Sequence, residues 1–211
     1  MIEIAVKYLE RVTGARPWTG NADRICRGVE IDSRKVGRDA IFVAFPGERV
    51  DGNEFAPQAI EAGAACVVLT TDPSRELLRL ADDHECAVFT VEAPTEFLLL
   101  LAQGYRARIG CTVVAVTGSI GKTTTKDVLC ALLSTRYRVH ATQGNYNSLI
   151  GMPLTILAAP RNTQVMVLEM GMDSRGQIER LSRCAQPAYS IITKIGTSHI
   201  GLLGSRENIA R

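Results

Sequence analysis

The segment VVAVTGSIGKTTTK, residues 113–126, constrains the fold more than any other part of the chain. An apolar run that reads as a buried strand enters a glycine turn, and a helix opens at once on Lys122 and three threonines. Strand, glycine turn and helix in that order form half of a βαβ unit, which commits this region to a parallel sheet with right-handed crossovers. The same residues constrain the ligand. Gly118 and Gly121 let backbone N–H groups approach phosphate oxygens closely, and the helix N-terminus adds a favourable dipole. Lys122 supplies a point charge and Thr123 offers a hydroxyl to Mg²⁺, with Ser119 and Thr124 completing a nucleotide-binding set. The longer G-x-x-x-x-G-K-[ST] pattern would need glycine where Val116 stands, so this is the shorter T-G-x-x-G-K-T form.

Short apolar runs alternate with amphipathic segments elsewhere too, so the fold class is α/β. Before residue 110 the expected elements are strands at Ile41 to Phe45, Cys66 to Leu69 and Ala87 to Val91, and a helix from Asn53 to Ala62 closed by Gly63. Pro94 and Thr95 open a helix through FLLLLAQGYRARI, and Gly110 marks the break. The expected organisation is a small N-terminal domain, 1–109, followed by a mostly parallel-sheet domain, 110–211. The latter should run strand Thr112 to Val116, helix Lys122 to Thr135, strand near Val139 and helix Leu149 to Ala158. Strand Val165 to Glu169, helix Ile178 to Arg183 and strand Ser190 to Thr193 complete it. Val128, Leu129, Leu132 and Leu133 should form the stripe that packs the first helix on the sheet. Ser205 to Arg211 begins with an N-cap and stops without a C-cap signal, so the second domain is expected to be cut short.

Composition removes several function classes. The 211 residues carry 24 Lys plus Arg against 22 Asp plus Glu, leaving no surplus field to hold a nucleic acid. The run Phe97 to Ala102 is far shorter than the ~20 residues a membrane span needs. Glu3, Lys7, Glu10 and Arg11 interrupt what would be the core of a signal peptide, and the expected location is cytoplasmic. The six cysteines, Cys26, Cys66, Cys86, Cys111, Cys130 and Cys184, show no metal-finger spacing and read as buried thiols in a reducing compartment.

Three further segments carry candidate chemistry. In QVMVLEMGMDSRGQIERL, Glu169 ends a strand where its carboxylate would face the ligand crevice, a Mg²⁺ ligand beside Thr123 or a solvated strand-end residue. In IITKIGTSHIGLLGS, His199 occupies a loop at the same strand-end edge, a ligand or a structural histidine. His84 and His140 have no comparable setting and read as structural. In GNYNSLIGMPLTIL, Asn145 and Asn147 either orient a substrate's anionic group or form an Asx-turn and helix cap. EIDSRKV and FPGERVDGNEF, on either side of a strand in the first domain, read as polar glycine-bearing turns that could hold a nucleotide or sugar.

Taken in order, DSRKV with FVAFPGERVDGNEF, then TGSIGKTTTK, GNYNSLIGMPLTIL, VLEMGMDSRGQI and ITKIGTSHIGLLGSRENIAR resemble the Mur ligases of peptidoglycan synthesis, specifically the branch that adds D-alanyl-D-alanine. The resemblance covers nearly the whole chain. It implies an ATP- and Mg²⁺-dependent amide ligase that joins D-alanyl-D-alanine to a UDP-N-acetylmuramoyl tripeptide through an acyl phosphate. It further implies that Lys122 neutralises the transferring phosphoryl group, that Thr123 and Glu169 hold a first metal, and that His199 helps bind a second and serves catalysis. Asn145 and Asn147 would orient substrate, and Ser33 and Arg34 with Asp51 and Gly52 would contact the uridine diphosphate. Lys194 stands where the family often has Asn, which brings an extra cation near the phosphates. The family's carbamylated lysine and third domain should follow Arg211, so this chain alone is expected to lack ligase activity. The competing readings are a non-catalytic nucleotide-binding module and a related amide ligase of the folylpolyglutamate type.

Overall fold

The computed structural model describes residues 1–47, 50–198 and 200–210. They form two compact units, Met1–Leu101 and Ala102–Arg211. The division falls inside the helix Pro94–Ile109.

The first unit opens with β1 (Glu3–Ala5), α1 (Val6–Thr13), β2 (Pro17–Thr19), β3 (Ile25–Arg27), β4 (Val29–Glu30) and β5 (Ile41–Val43). It continues with α2 (Ala56–Glu61), β6 (Cys66–Leu69), α3 (Arg75–Asp83), β7 (Ala87–Thr90) and the start of α4 (Pro94–Ile109). The main sheet has the order β2-β7-β6-β5-β4, with β4 to β7 mutually parallel and β2 antiparallel on the edge. All four residues of β6, CVVL, are buried, the continuous apolar pattern of a strand covered on both faces. One face packs Phe42, Val67 and Val88 against Ala59, Ile60 and Ala81 of α2 and α3. Ser74 caps α3 by accepting from the Leu77 N–H at 3.1 Å. The helix expected from Asn53 begins as a 3₁₀ turn, Gly52–Phe55, before α2 takes over. The strands β1 to β4 run two or three residues each, too short for a periodic pattern to announce them.

The second unit holds the remainder of α4, then β8 (Thr112–Thr117), α5 (Lys122–Ser134), β9 (Val139–Ala141), α6 (Gly151–Ala158) and β10 (Val165–Glu169). After these come α7 (Gln177–Ala185), β11 (Tyr189–Ile192), α8 (Ile200–Leu203) and α9 (Arg206–Ala210). The sheet order is β11-β8-β10-β9 and every pairing is parallel, as the alternation requires. The stripe expected on α5 divides. Leu129 and Leu133, with Cys130, pack over Val114, Val116, Val165 and Val167. Val128 and Leu132 are 55% and 65% exposed. Positions 126, 129, 130 and 133 define the inward arc, and Val128 and Leu132 lie one residue to its outer side.

Five of the six cysteines are buried, Cys130 is half-buried, and all six are free thiols. Burial pushes the thiols of Cys26 and Cys86 up to about 12. Among the described residues, no helix is long and apolar enough to cross a membrane.

Candidate functional site

Parallel pairing brings the carboxyl ends of the second unit's strands level. Glu169 at the end of β10 lies opposite Val116 of β8, and Ile192 of β11 lies opposite Thr117. The loops leaving these strands therefore converge on one edge of the sheet, the place where open α/β sheets bind ligands. They border a cavity of about 520 Å³ lined by Gly118, Ser119 and Lys122, by Asn147 and Ser148, by residues 170–173, and by Ile192, Lys194 and Ile195.

The glycine turn is held open from outside. The Thr193 hydroxyl donates to the Ile120 carbonyl at 2.7 Å and its backbone N–H donates to the Thr117 carbonyl at 2.9 Å. The Ser119 N–H donates to the Lys194 carbonyl at 2.7 Å, and the Ser119 hydroxyl accepts from the Gly196 N–H at 2.9 Å. Gly118 has φ +130°, and a Cβ there would collide with the Thr193 hydroxyl and sit 3.0 Å from the Lys194 backbone. Gly121 stands at the N-cap of α5 in the left-handed region and supplies no side-chain acceptor. The first amides of the 13-residue α5 are thus left to an anion, whose charge the helix dipole favours. Lys122 folds back over its own turn and donates to the Gly118 carbonyl at 2.7 Å.

Thr123 donates its hydroxyl to Glu169 Oε2 at 2.9 Å. Asn147 donates from Nδ2 to Glu169 Oε1 at 2.9 Å, and its carbonyl accepts from the Gly171 N–H at 2.8 Å. Glu169 is only 2% exposed, so its charge is directed to these partners and not to bulk water. Hydroxyl and carboxylate together are the oxygen donors Mg²⁺ takes, usually with phosphate oxygens and water filling the rest of the octahedron. Among the described residues no group of three or more His, Cys, Asp or Glu forms a self-sufficient metal site.

Of the residues singled out from sequence, Gly118, Ser119, Lys122 and Asn147 border the cavity, Thr123 and Asn147 both bond to Glu169, and Gly121 caps α5. Thr124 is exposed in the first turn of α5, and Asn145 is exposed with its backbone carbonyl receiving the Asn147 N–H at 2.8 Å. Lys194 borders the cavity. His199 lies outside the described residues. Two members of this neighbourhood carried no sequence signal as site residues. Thr142 accepts the Glu169 backbone N–H on its hydroxyl at 2.9 Å, and Lys126 donates to the Thr142 carbonyl at 3.0 Å.

In the first unit the two polar loops follow the parallel strands β4 and β5 and so share that sheet's carboxyl edge. Asp32 caps the 3₁₀ turn Ser33–Lys35, and Arg34 forks onto the same carboxylate through Nε and Nη2, both at 2.8 Å. Those hydrogen bonds hold the Asp32 carboxyl down at about 2. Ser33 donates to Gln58 at 3.1 Å. Asp51 caps the turn that begins at Gly52 and accepts from both the backbone N–H and Nδ2 of Asn53, while Asn53 also bonds Thr70 at the end of β6. Asn53 was not among the expected contacts, although it fastens this loop.

Residues 116–211 match the Mur ligase middle domain, and residues 26–106 match the domain described as Mur ligase family, catalytic domain. The chain belongs to the Mur ligase family. Along its full length it is 45% identical to the UDP-N-acetylmuramoyl-tripeptide--D-alanyl-D-alanine ligase of Bacillus subtilis, and it spans 45% of that relative. It is 42% identical to the enzyme of the same name from Synechocystis over 85% of the chain and 38% of the relative. Its backbone superposes on MurF from Acinetobacter baumannii with a TM-score of 0.89 at 28% identity, covering 100% of the chain and 45% of that structure. MurF ligase from Thermotoga maritima in complex with ADP gives a TM-score of 0.76 at 33% identity, over 87% and 41% of the two chains. This Mur ligase chain therefore spans less than half the length of the relatives it matches.

Proposed function

We propose that the chain carries the uridine-nucleotide-binding and ATP-binding parts of a cytoplasmic MurF-type ligase, which joins D-alanyl-D-alanine to UDP-N-acetylmuramoyl tripeptide. The observation that carries this reading is the Thr123–Glu169 pair at the amino end of α5, 2.9 Å apart beside a 520 Å³ cavity. The names of the relatives supply the substrates. A carboxylate is a poor acyl donor, so ligation with ATP proceeds by phosphorylating it and letting an amine attack the acyl phosphate.

In this reading the protein's contribution is position and electrostatics. The amides of Ile120 to Thr123 cradle the terminal phosphates, and Lys122 leaves the Gly118 carbonyl to lie against them. Thr123 and Glu169 hold Mg²⁺, which when bound neutralises phosphate charge. Asn147, donating to Glu169 Oε1, would hold that carboxylate in place for the metal. Asn145, on the same loop, and Lys194, on the facing wall, contact substrate. His199 is assigned to a second metal on the family resemblance alone. Ser33, Arg34, Asp51 and Gly52 receive the uridine diphosphate at the sheet edge of the first unit.

The test is calorimetry on the chain with Mg²⁺–ATP and with UDP-N-acetylmuramoyl tripeptide, titrated separately. Saturable binding of both is expected, with Lys122→Met abolishing only the first and Asp51→Ala weakening only the second. Binding of ATP with no affinity for the uridine nucleotide would redirect the assignment to a folylpolyglutamate-type ligase.

A further inference from the structure

We propose that Lys126 is a positioning residue for the metal site: its buried ammonium, by holding the strand end that carries Thr142, fixes the backbone and carboxylate of Glu169. The proposal rests on the reading of Thr123 and Glu169 as Mg²⁺ ligands.

Lys126 is unfavourably placed for a charged side chain. It is only 7% exposed, and a buried ammonium is costly unless it is paired and hydrogen-bonded. Here Nζ donates to the Thr142 carbonyl at 3.0 Å and pairs with Asp127 at 2.6 Å, where the Asp127 carboxylate stays largely in water. Thr142 is 1% exposed and lies just beyond β9, its N–H bonded to the Val167 carbonyl at 3.1 Å. Its hydroxyl in turn accepts the backbone N–H of Glu169 at 2.9 Å. The two Glu169 carboxylate oxygens then meet Asn147 and Thr123, each at 2.9 Å.

Thr123 and Lys126 are one helical turn apart on α5, so these bonds close a ring: helix, strand end, glutamate, helix. A leucine or methionine at 126 would fill the same inward arc beside Leu129 and Cys130, so packing alone does not require a charge there. What an apolar residue could not supply is the donor that fixes Thr142. Partners that orient a metal-binding carboxylate characteristically change metal affinity about 10- to 100-fold when removed.

ATP affinity is measured with Mg²⁺ present and with the metal chelated, in the parent chain and in Lys126→Met, Lys126→Arg and Thr142→Val. Lys126→Met is expected to reduce the Mg²⁺-dependent gain in affinity about tenfold while the metal-free affinity changes less than threefold, and Lys126→Arg to recover part of the gain. Thr142→Val, which deletes only the hydroxyl link, should show the same selective loss. It keeps the question answerable if Lys126→Met does not fold. Equal losses with and without Mg²⁺, or no loss in either variant, would overturn the proposal. A parent chain that binds no ATP under either condition would instead overturn the ligase reading on which it stands.

Discussion

Gly118→Ala tests whether the glycine turn is built for the close approach of an anion. At φ +130° an alanine is strained by about 1–3 kcal/mol. Its methyl group would also overlap the Thr193 hydroxyl and press on the Lys194 backbone. Relief requires moving residues 193–194, which disturbs the bonds from Thr193 to Thr117 and Ile120 and from Ser119 to Lys194, each worth about 1 kcal/mol net. A total near 2 kcal/mol is the conservative expectation. If the loop shifts while the sheet stays folded, that corresponds to a roughly thirtyfold loss in ATP affinity. If the fold bears it instead, melting drops by about 4–8 °C for a chain of this size. Gly121→Ala provides the contrast. Its φ is +86°, but the nearest atom to an added Cβ is Thr193 Cβ at 4.0 Å, so only the dihedral cost of about 1 kcal/mol applies. Calorimetric titration with ATP and thermal melting of both variants decide the matter. The reasoning fails if Gly118→Ala melts and binds like the parent, or if Gly121→Ala melts at least as low as Gly118→Ala.

Two further predictions concern the framework. Tyr105→Phe removes the buried hydroxyl that donates to the Ala159 carbonyl at 2.8 Å, and should lower stability by about 1–2 kcal/mol in denaturant titrations, with ATP affinity unchanged. The Asp32 carboxyl, held down by Arg34, should titrate with a midpoint at about 2 when followed by NMR. Because the folded value is depressed, its stabilising contribution is complete above the ordinary carboxylate range and disappears as pH falls through about 2. Arg34→Gln should raise the midpoint toward the ordinary range, the backbone hydrogen bond from residue 34 and the nearby Lys35 charge remaining.

The strand, turn and helix from Thr112 to Ser134 were legible because their signals are local: a buried run, two glycines, a lysine and hydroxyls at fixed spacing. Glu169 was legible because a carboxylate ending an apolar strand in an alternating α/β pattern must reach the carboxyl edge of the sheet. Lys126 and Thr142 were not. Their importance comes from the order β8-β10-β9, which sets the end of β9 beside Glu169 and under α5, and nothing in the spacing reveals that order. The α5 stripe misled for a related reason, since four apolar residues at helical spacing do not say which edge of the stripe meets the sheet. Arg34 illustrates a further gap. The family resemblance assigned it to a uridine diphosphate, whereas in the structure its guanidinium is bonded to Asp32.

The most direct measurement is a crystal structure of the chain with Mg²⁺ and a non-hydrolysable ATP analogue. The expected arrangement has the β- and γ-phosphates against the amides of Ile120 to Thr123, with the metal bonded to the Thr123 hydroxyl and a Glu169 carboxylate oxygen. Phosphates bound elsewhere, or a metal that leaves the Thr123–Glu169 hydrogen bond intact, would contradict it.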